Sequence, residues 1–420
     1  MNRGFTEAGR AEQLADSEAV VAFVVEDVAA RVEAAGAGRI RQLWTLDQLS
    51  DLAASAPASE TAITPASVVA LPYSSGTTGT AKGGMLTHRN LVAMQLQMEA
   101  VEATGPDDVV LAVLPFFHIY GLSVILLLAL YRGAKLVIFP RFELDAVLGA
   151  IERQRVTRLP LVPPLILRLA REPRLDDFDL SSVRTVISGA APLAPDVAAR
   201  LSQRLGGCLV KQGYGMTELS PGGHMHPEDG SIPPPGSVGL LHPNTECRIV
   251  DPETGRDVPS GQAGEIWYRG PQVMKGYLGR PEETAQMITT DGWLRTGALG
   301  RIDVDGQLYV LDRIKELVKY KGFQVAPAEL EALLLTHRSV ADVAVIPKPD
   351  PEAGEIPKAL IVREPGTTLD EEELVAYVAE RVAGYKRVRA VEFVDEIPKS
   401  PSGKILRRVL VDRERRLAQR

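Results

Sequence analysis

Apolar positions recur with different periods along this chain, and the changes of period divide it into three stretches. Residues 10–35 carry a helical pattern broken by a short apolar run at 20–25, and residues 54–65, rich in Ala, Ser, Thr and Pro, read as a connecting loop. From 107 to 200 short β-rich runs (109–114, 135–139, 185–188) alternate with helical patterns, which predicts α/β layers around parallel strands. Such sheets bind ligands in crevices at the carboxyl ends of their strands. The apolar stretch at 122–131 is too short to cross a bilayer core of roughly 30 Å, so no transmembrane segment is expected and a buried helix is. From 236 to 312 the pattern changes to short strands (247–250, 264–269, 308–311) separated by Gly and Pro turns, as in a β-rich subdomain. After Asp312 come a helix at 329–336 opened by Pro327 and strands at 340–346 and 359–362. A capping box, Thr368-x-x-Glu371, precedes the stripe Leu374, Val378, Val382. The fold class predicted is α/β, with a large N-terminal part of α/β layers plus a β-rich subdomain (1–312) and a smaller α+β C-terminal domain (313–420).

Length agrees with two units, since 420 residues exceed what one core usually holds. Composition mainly excludes. With 47 Lys+Arg against 54 Asp+Glu the net charge is −7, which argues against a general nucleic-acid binder. Cys208 and Cys247 are the only cysteines, too few for a disulfide framework or a cysteine zinc site. The opening MNRGFTEAGR has no apolar core of a secretory signal, so a reducing, cytoplasmic setting is expected. There is no internal repeat and no low-complexity tract.

Candidate chemistry begins at Leu71-Pro-Tyr-Ser-Ser-Gly-Thr-Thr-Gly-Thr-Ala-Lys-Gly-Gly84, which supplies backbone N–H groups, hydroxyls and one cation for phosphate oxygens. It is not a Walker A loop, because Ala81 and Gly83 flank Lys82 where that motif needs Gly and then Ser or Thr. Pro115-Phe-Phe-His-Ile-Tyr-Gly121 puts His118 after a strand and a proline, a place where packing is commoner than catalysis. Ser188-Gly-Ala-Ala-Pro-Leu193 has little bulk, so a flat ring could approach its backbone. Lys211-Gln-Gly-Tyr-Gly-Met-Thr-Glu218 offers an aromatic for stacking, a hydroxyl for a phosphate and a carboxylate suited to Mg²⁺. On charge alone, 312–324 is a solvated face, and Lys399-Ser-Pro-Ser-Gly-Lys404 is a basic tail on a surface loop.

In order and spacing these segments resemble the adenylate-forming superfamily of acyl- and aryl-CoA ligases, luciferases and adenylation domains, and within it bacterial 4-coumarate–CoA ligase-like enzymes. Ser74-Ser-Gly-Thr-Thr-Gly-Thr-Ala-Lys82 matches the superfamily's phosphate loop residue for residue. The resemblance implies that Ser74, Ser75, Gly76, Thr77, Thr78 and Lys82 wrap the β- and γ-phosphates of ATP. It implies that Gln212, Gly213 and Tyr214 hold the nucleotide, Thr217 meets the α-phosphate, Glu218 the Mg²⁺ and Arg313 the ribose. His118 and Tyr120, with Gly189, Ala190 and Pro221, would line the acyl pocket, and Tyr120 with Pro221 suits an aryl group. Lys404 would be the catalytic lysine, Lys315 the hinge of a mobile C-terminal domain, and Lys319 and Gln324 contacts to the adenylate. Lys321 and Gly322 would line the pantetheine tunnel, with Arg141 and Lys386 as candidates for the nucleotide of CoA.

The activity implied is ATP-dependent activation of a carboxylic acid, an aryl, cinnamate-like one, as acyl-AMP and its transfer to CoA. Alternatives are a medium- or long-chain acyl-CoA ligase, an amino-acid adenylation domain, a luciferase-like oxygenase and, from another class, a non-catalytic nucleotide- or acyl-binding relative. The pocket segment 117–120 lacks the aspartate that amino-acid adenylation domains use for the α-amine. Two departures stand out. Trp293-Leu-Arg-Thr-Gly-Ala-Leu-Gly300 has Ala298 where the family has the aspartate that holds both ribose hydroxyls, which predicts weaker ATP binding. Asn2-Arg-Gly-Phe-Thr-Glu and Gln13-Leu-Ala-Asp-Ser17 resemble a stretch about a hundred residues into typical members, so the opening segment is expected to be absent and apolar surface or a sheet edge exposed.

Overall fold

The computed structural model describes residues 7–36, 38–50, 62–74, 81–400 and 403–418, and the fold is that of these residues. The α/β stretch forms a seven-stranded sheet in the order Leu240–Leu241, Gly222–Met225, Leu209–Gly215, Thr185–Ser188, Arg158–Leu161, Val109–Ala112, Lys135–Ile138. The last five run parallel, with Val186 opposite both Val210 and Leu159. Every residue of Arg158–Leu161 and Thr185–Ser188 is buried, as parallel strands covered on both faces must be. Helices Leu144–Gln154, Pro163–Arg171 and Pro195–Arg204 contribute Leu148, Ile151, Ile166, Leu169 and Leu201 to that core. Among the described residues Lys135–Ile138 is one edge of this sheet, and Ile138, Leu130 and Tyr131 are exposed beside it.

Polar letters hid two of these strands from the sequence pattern. Arg158 and Lys211 lie in Arg158–Leu161 and Leu209–Gly215 yet are buried, which costs too much unless each charge is paired. Lys211 Nζ lies 2.7 Å from Glu102 and 2.9 Å from Glu228, and donates to the Val101 carbonyl at 3.0 Å. Arg158 pairs with Glu102, Glu228 and Asp108. The apolar stretch expected as one buried helix divides instead. Tyr120–Leu127 is a π-helix with Val124 and Ile125 buried, whereas Leu128–Arg132 turns Leu130 and Tyr131 outward. An unbroken apolar run carries no period, so it could not say which side faces the core.

The β-rich stretch is an antiparallel sheet ordered Glu246–Val250, Gly264–Arg269, Leu294–Ile302, Leu308–Arg313, and its third strand carries Ala298. A smaller sheet pairs Lys82–Thr87 with Gly276–Tyr277, Val68–Ala70 and Tyr73–Ser74. The expected loop at 54–65 lies mostly outside the described residues. Beyond Arg313, Val340–Asp350 and Gly354–Arg363 form a long hairpin. Phe323–Val325 and Val318–Tyr320 continue the sheet from Gly354–Arg363, and Ala390–Phe393 pairs parallel to that same strand. Val343, Val345, Ile361, Leu374 and Val378 fill this core. Pro327 opens its helix as expected, but the capping box does not form. The helix Glu371–Ala379 is capped by Asp370, whose side chain accepts from Glu373 N at 2.8 Å, and Thr368 lies outside it. Among the described residues no helix is long and apolar enough to cross a membrane.

Candidate active site

A crevice of roughly 1980 Å³ opens at the carboxyl ends of the parallel strands, and residues beyond Arg313 form its other wall. Its floor is the turn after Thr185–Ser188. Ala190 there has φ +72°, and Gly189 lies so close to the buried Tyr120 ring that a Cβ would come within 2.9 Å of it. Tyr120 Oη donates to Ile187 O at 2.9 Å, and Leu193 N donates to Gln212 Oε1 at 2.9 Å, so the turn is held from both flanks. Tyr214 stacks on Tyr268 with centroids 6.2 Å apart. Pro221 follows a cis peptide bond from Ser220, whose Oγ donates to Gln272 O at 2.8 Å.

Glu218 is a buried carboxylate of the site. Tyr277 Oη and Ser74 Oγ donate to its Oε1 at 2.6 and 3.2 Å. Lys82 lies over the Tyr277 ring, 5.3 Å from its centroid. Ser75, Gly76, Thr77 and Thr78 lie outside the described residues. From the facing wall comes Lys404, half-buried, its amine shifted down to about 8 by burial and the charge of Arg313, with Glu316 and Glu218 opposing. His118 is lowered to about 4 by burial and then by the charge of Lys404, so its imidazole is neutral near pH 7. Its Nδ1 accepts from Tyr120 N at 3.2 Å.

The other expected residues divide into two groups. Gly213, Thr217, Arg313, Lys315, Gln324 and Lys386 line the crevice; Arg313 pairs with Glu316 at 3.2 Å and Lys386 with Glu329 at 2.7 Å. Lys319, Lys321, Gly322 and Arg141 do not. Lys319 is exposed on Val318–Tyr320, Lys321 and Gly322 form the positive-φ turn that follows, and exposed Arg141 pairs with Glu143. Sequence reasoning missed Tyr277, which orients Glu218 and has no motif that would have marked it. It also missed Glu265, whose Oε1 accepts from Gly297 N at 2.9 Å and whose Oε2 accepts from Trp267 Nε1 at 2.8 Å. That carboxylate sits beside Ala298, which is buried and directly opposite Arg313 in the strand pairing.

A doubly covered parallel sheet, a small-residue turn, a buried carboxylate and a lysine brought from a separate unit define a protein of the adenylate-forming class. The chain belongs to the AMP-binding enzyme family, whose family model matches residues 1–278, with the AMP-binding enzyme C-terminal domain matching 329–404. It is 50% identical over 360 residues to 4-coumarate–CoA ligase 2 of Nicotiana tabacum, covering 84% of this chain and 66% of that protein. It is 49% identical over 358 residues to 4-coumarate–CoA ligase 2 of Oryza sativa subsp. japonica, covering 84% and 63%. The chain thus spans slightly less than two thirds of the length of these relatives. Among solved structures it resembles ATP-bound MatB from Rhodopseudomonas palustris, at TM-score 0.90 and 33% identity over 99% of this chain and 83% of that one. It also resembles the anthranilate CoA ligase AuaEII in complex with anthranoyl-AMP, at TM-score 0.91 and 27% identity over 100% and 83%.

Proposed function

We propose that the protein is an AMP-forming acid–thiol ligase that activates an aryl, cinnamate-like carboxylic acid with ATP and passes the acyl group to CoA. The observation that carries this reading is that Lys404, together with Arg313 of the same unit, lines one crevice with His118 and Glu218 of the large sheet's side. In the first step a carboxylate oxygen of the acid attacks the α-phosphorus, the bond to the bridging oxygen breaks, and pyrophosphate leaves. Lys404, Lys82 and the Thr217 hydroxyl are the groups placed to meet the charge that develops, which is pre-organised electrostatic catalysis. Neutral His118 adds no charge to the pocket.

Glu218 fits a Mg²⁺ ion held mainly by phosphates. Among the described residues no group of three or more His, Cys, Asp or Glu could hold a metal, and a Mg²⁺ that keeps water and phosphate ligands needs only one protein carboxylate. The two hydroxyls on Oε1 orient that carboxylate. The ion would supply neutralisation of phosphate charge. Tyr120, Gly189 and Pro221 line the crevice, and in this reading they take the aryl group.

In the second step the sulfur of CoA attacks the adenylate carbonyl and AMP leaves. Our reading divides the chain at 312/313 and has residues 313–420 turn about Lys315, which withdraws Lys404 and brings in Lys319, Lys321 and Gly322, now outside the crevice. Arg141 and Lys386 stay candidates for the CoA nucleotide. A cytoplasmic setting is part of the reading, supported by two cysteines, neither of them in a disulfide. Pyrophosphate release with cinnamates, benzoates and fatty acids, with and without CoA, tests it. The aryl reading requires cinnamates to be turned over best, and a better fatty acid makes this an acyl-CoA ligase. Binding of ATP with no release for any acid identifies a non-catalytic relative, the reading that Ala298 favours.

A further inference from the structure

The helix Pro163–Arg171 touches the C-terminal unit at both of its ends. At its start, Val162 and Pro164 pack on Gly403, the residue before Lys404, so closely that a Cβ there would lie 3.0 Å from Val162 Cγ2. At its end, Arg171 reaches three groups of that unit. Its Nη1 donates to Val340 O at 2.9 Å and to Glu364 Oε1 at 2.6 Å, and its Nη2 donates to Leu335 O at 2.8 Å. Leu335 caps the C-terminus of the helix Pro327–Leu334, where carbonyls carry partial negative charge and favour a cation. Val340 opens one strand of the long hairpin, and Glu364 follows the other. One planar guanidinium therefore clips a helix end, a strand start and a carboxylate, all on the far unit.

A helix of nine residues spans roughly 13 Å, so the two contacts form separated points on one rigid rod. A further contact joins the units beside the division of the chain, where Ala328 N donates to Asp312 Oδ2 at 2.8 Å. Arg171 adds a grip on Leu335, Val340 and Glu364 that restricts pivoting about the contacts at Gly403 and Asp312. We propose that Arg171 is a positioning residue that docks the C-terminal unit on the large sheet and so holds Lys404 over the crevice. Arg171 touches no residue assigned above to ATP or the acid, and it acts through Lys404 alone. Its ion pair is partly exposed, with side chains 24% and 31% accessible, and would be weak as an isolated pair. Two charge-assisted bonds to backbone carbonyls on the same head give it the geometry of a clasp.

The activity arm of the test rests on the adenylation reading, so docking is also measured without activity. Fluorophores are placed on exposed Asp196→Cys and Glu372→Cys in a Cys247→Ser background of the full chain, and single-molecule energy transfer counts docked and undocked molecules. Arg171→Leu is expected to raise the undocked-to-docked ratio about tenfold and to lower kcat for pyrophosphate release in proportion to the docked fraction that the same measurement counts, with the KM of ATP changed less than about threefold. Arg171→Lys, which keeps the charge but loses the fork, is expected to fall between. An unchanged distribution overturns the proposal whatever the activity does. A shifted distribution with no pyrophosphate release from any form keeps the clasp and removes the adenylation reading. If Arg171→Leu fails to fold, Glu364→Gln removes only the ion pair and is expected to raise the ratio about threefold, and no rise overturns the clasp.

Discussion

Replacing Ala298 with aspartate tests the site at the position where it departs from its family. Ala298 is 5% exposed, lines the crevice and sits directly opposite Arg313, so a carboxylate there would have a guanidinium within reach across the strands. The hydrogen bond from Ala298 N to Thr296 Oγ1 uses the backbone and survives the change. Two charge-assisted bonds from ribose hydroxyls are each worth on the order of 1.5–3 kcal/mol before losses to solvent competition. Subtracting that competition and the burial of the new charge leaves a net of about 1.5–3 kcal/mol, or roughly ten- to a hundredfold. Ala298→Asp is therefore expected to lower the KM of ATP, or raise kcat/KM for ATP, at least about tenfold, with the KM of the acid unmoved. Steady-state pyrophosphate release with one accepted acid, ATP varied, measures it. If the folded variant has unchanged ATP kinetics, the reasoning fails and the ribose is already held by another group; Glu265, beside Ala298, is the first to remove, as Glu265→Gln.

Four further outcomes follow from the same geometry. Lys404→Ala is expected to abolish adenylate formation while sparing thioester formation from pre-made acyl-adenylate; equal loss in both would refute its role. Because burial and Arg313 bring its amine down to about 8, wild-type adenylation should fall as pH rises through that value and the cation is lost, a limb that Lys404→Arg should remove. Lys315, in the turn Ile314–Glu316, should tolerate proline for adenylation but not for CoA transfer, since a fixed φ removes a hinge's freedom; normal thioester output would sink the hinge. Burial first, then the neighbouring His242 for His224 and the charge of Lys211 for His242, keeps the two at about 3 and 4, below the free value, so only the unfolded chain takes up protons as pH falls below about 6.5. Stability present above pH 6.5 is then lost toward pH 4, by up to about 3 kcal/mol per histidine, and equal denaturant midpoints at pH 7.5 and 5 would contradict it.

Much of this protein is written in local pattern. Alternation of short β runs with helices gave the parallel sheet, Pro327 gave its helix start, and the motifs at 188–193, 211–218 and 399–404 gave the segments that line one crevice, because those features depend on residues close in sequence. What depended on distant partners stayed hidden. Arg158 and Lys211 read as surface letters until Glu102, Asp108 and Glu228 are brought to them, and only then do their strands belong in a core. Tyr277 carries no motif, since orienting Glu218 is a relation across 59 positions of chain. Asp370 took the cap from Thr368 because its own side chain reached the open amide. The sequence by itself determined which chemical groups the protein owns and roughly which elements carry them. The tertiary structure decided which groups share a desolvated space, and hence that Lys404 loses affinity for its proton, that His118 stays neutral and that Arg171 grips the other unit; charges and hydrogen bonds act through distance in space, which letter order does not record.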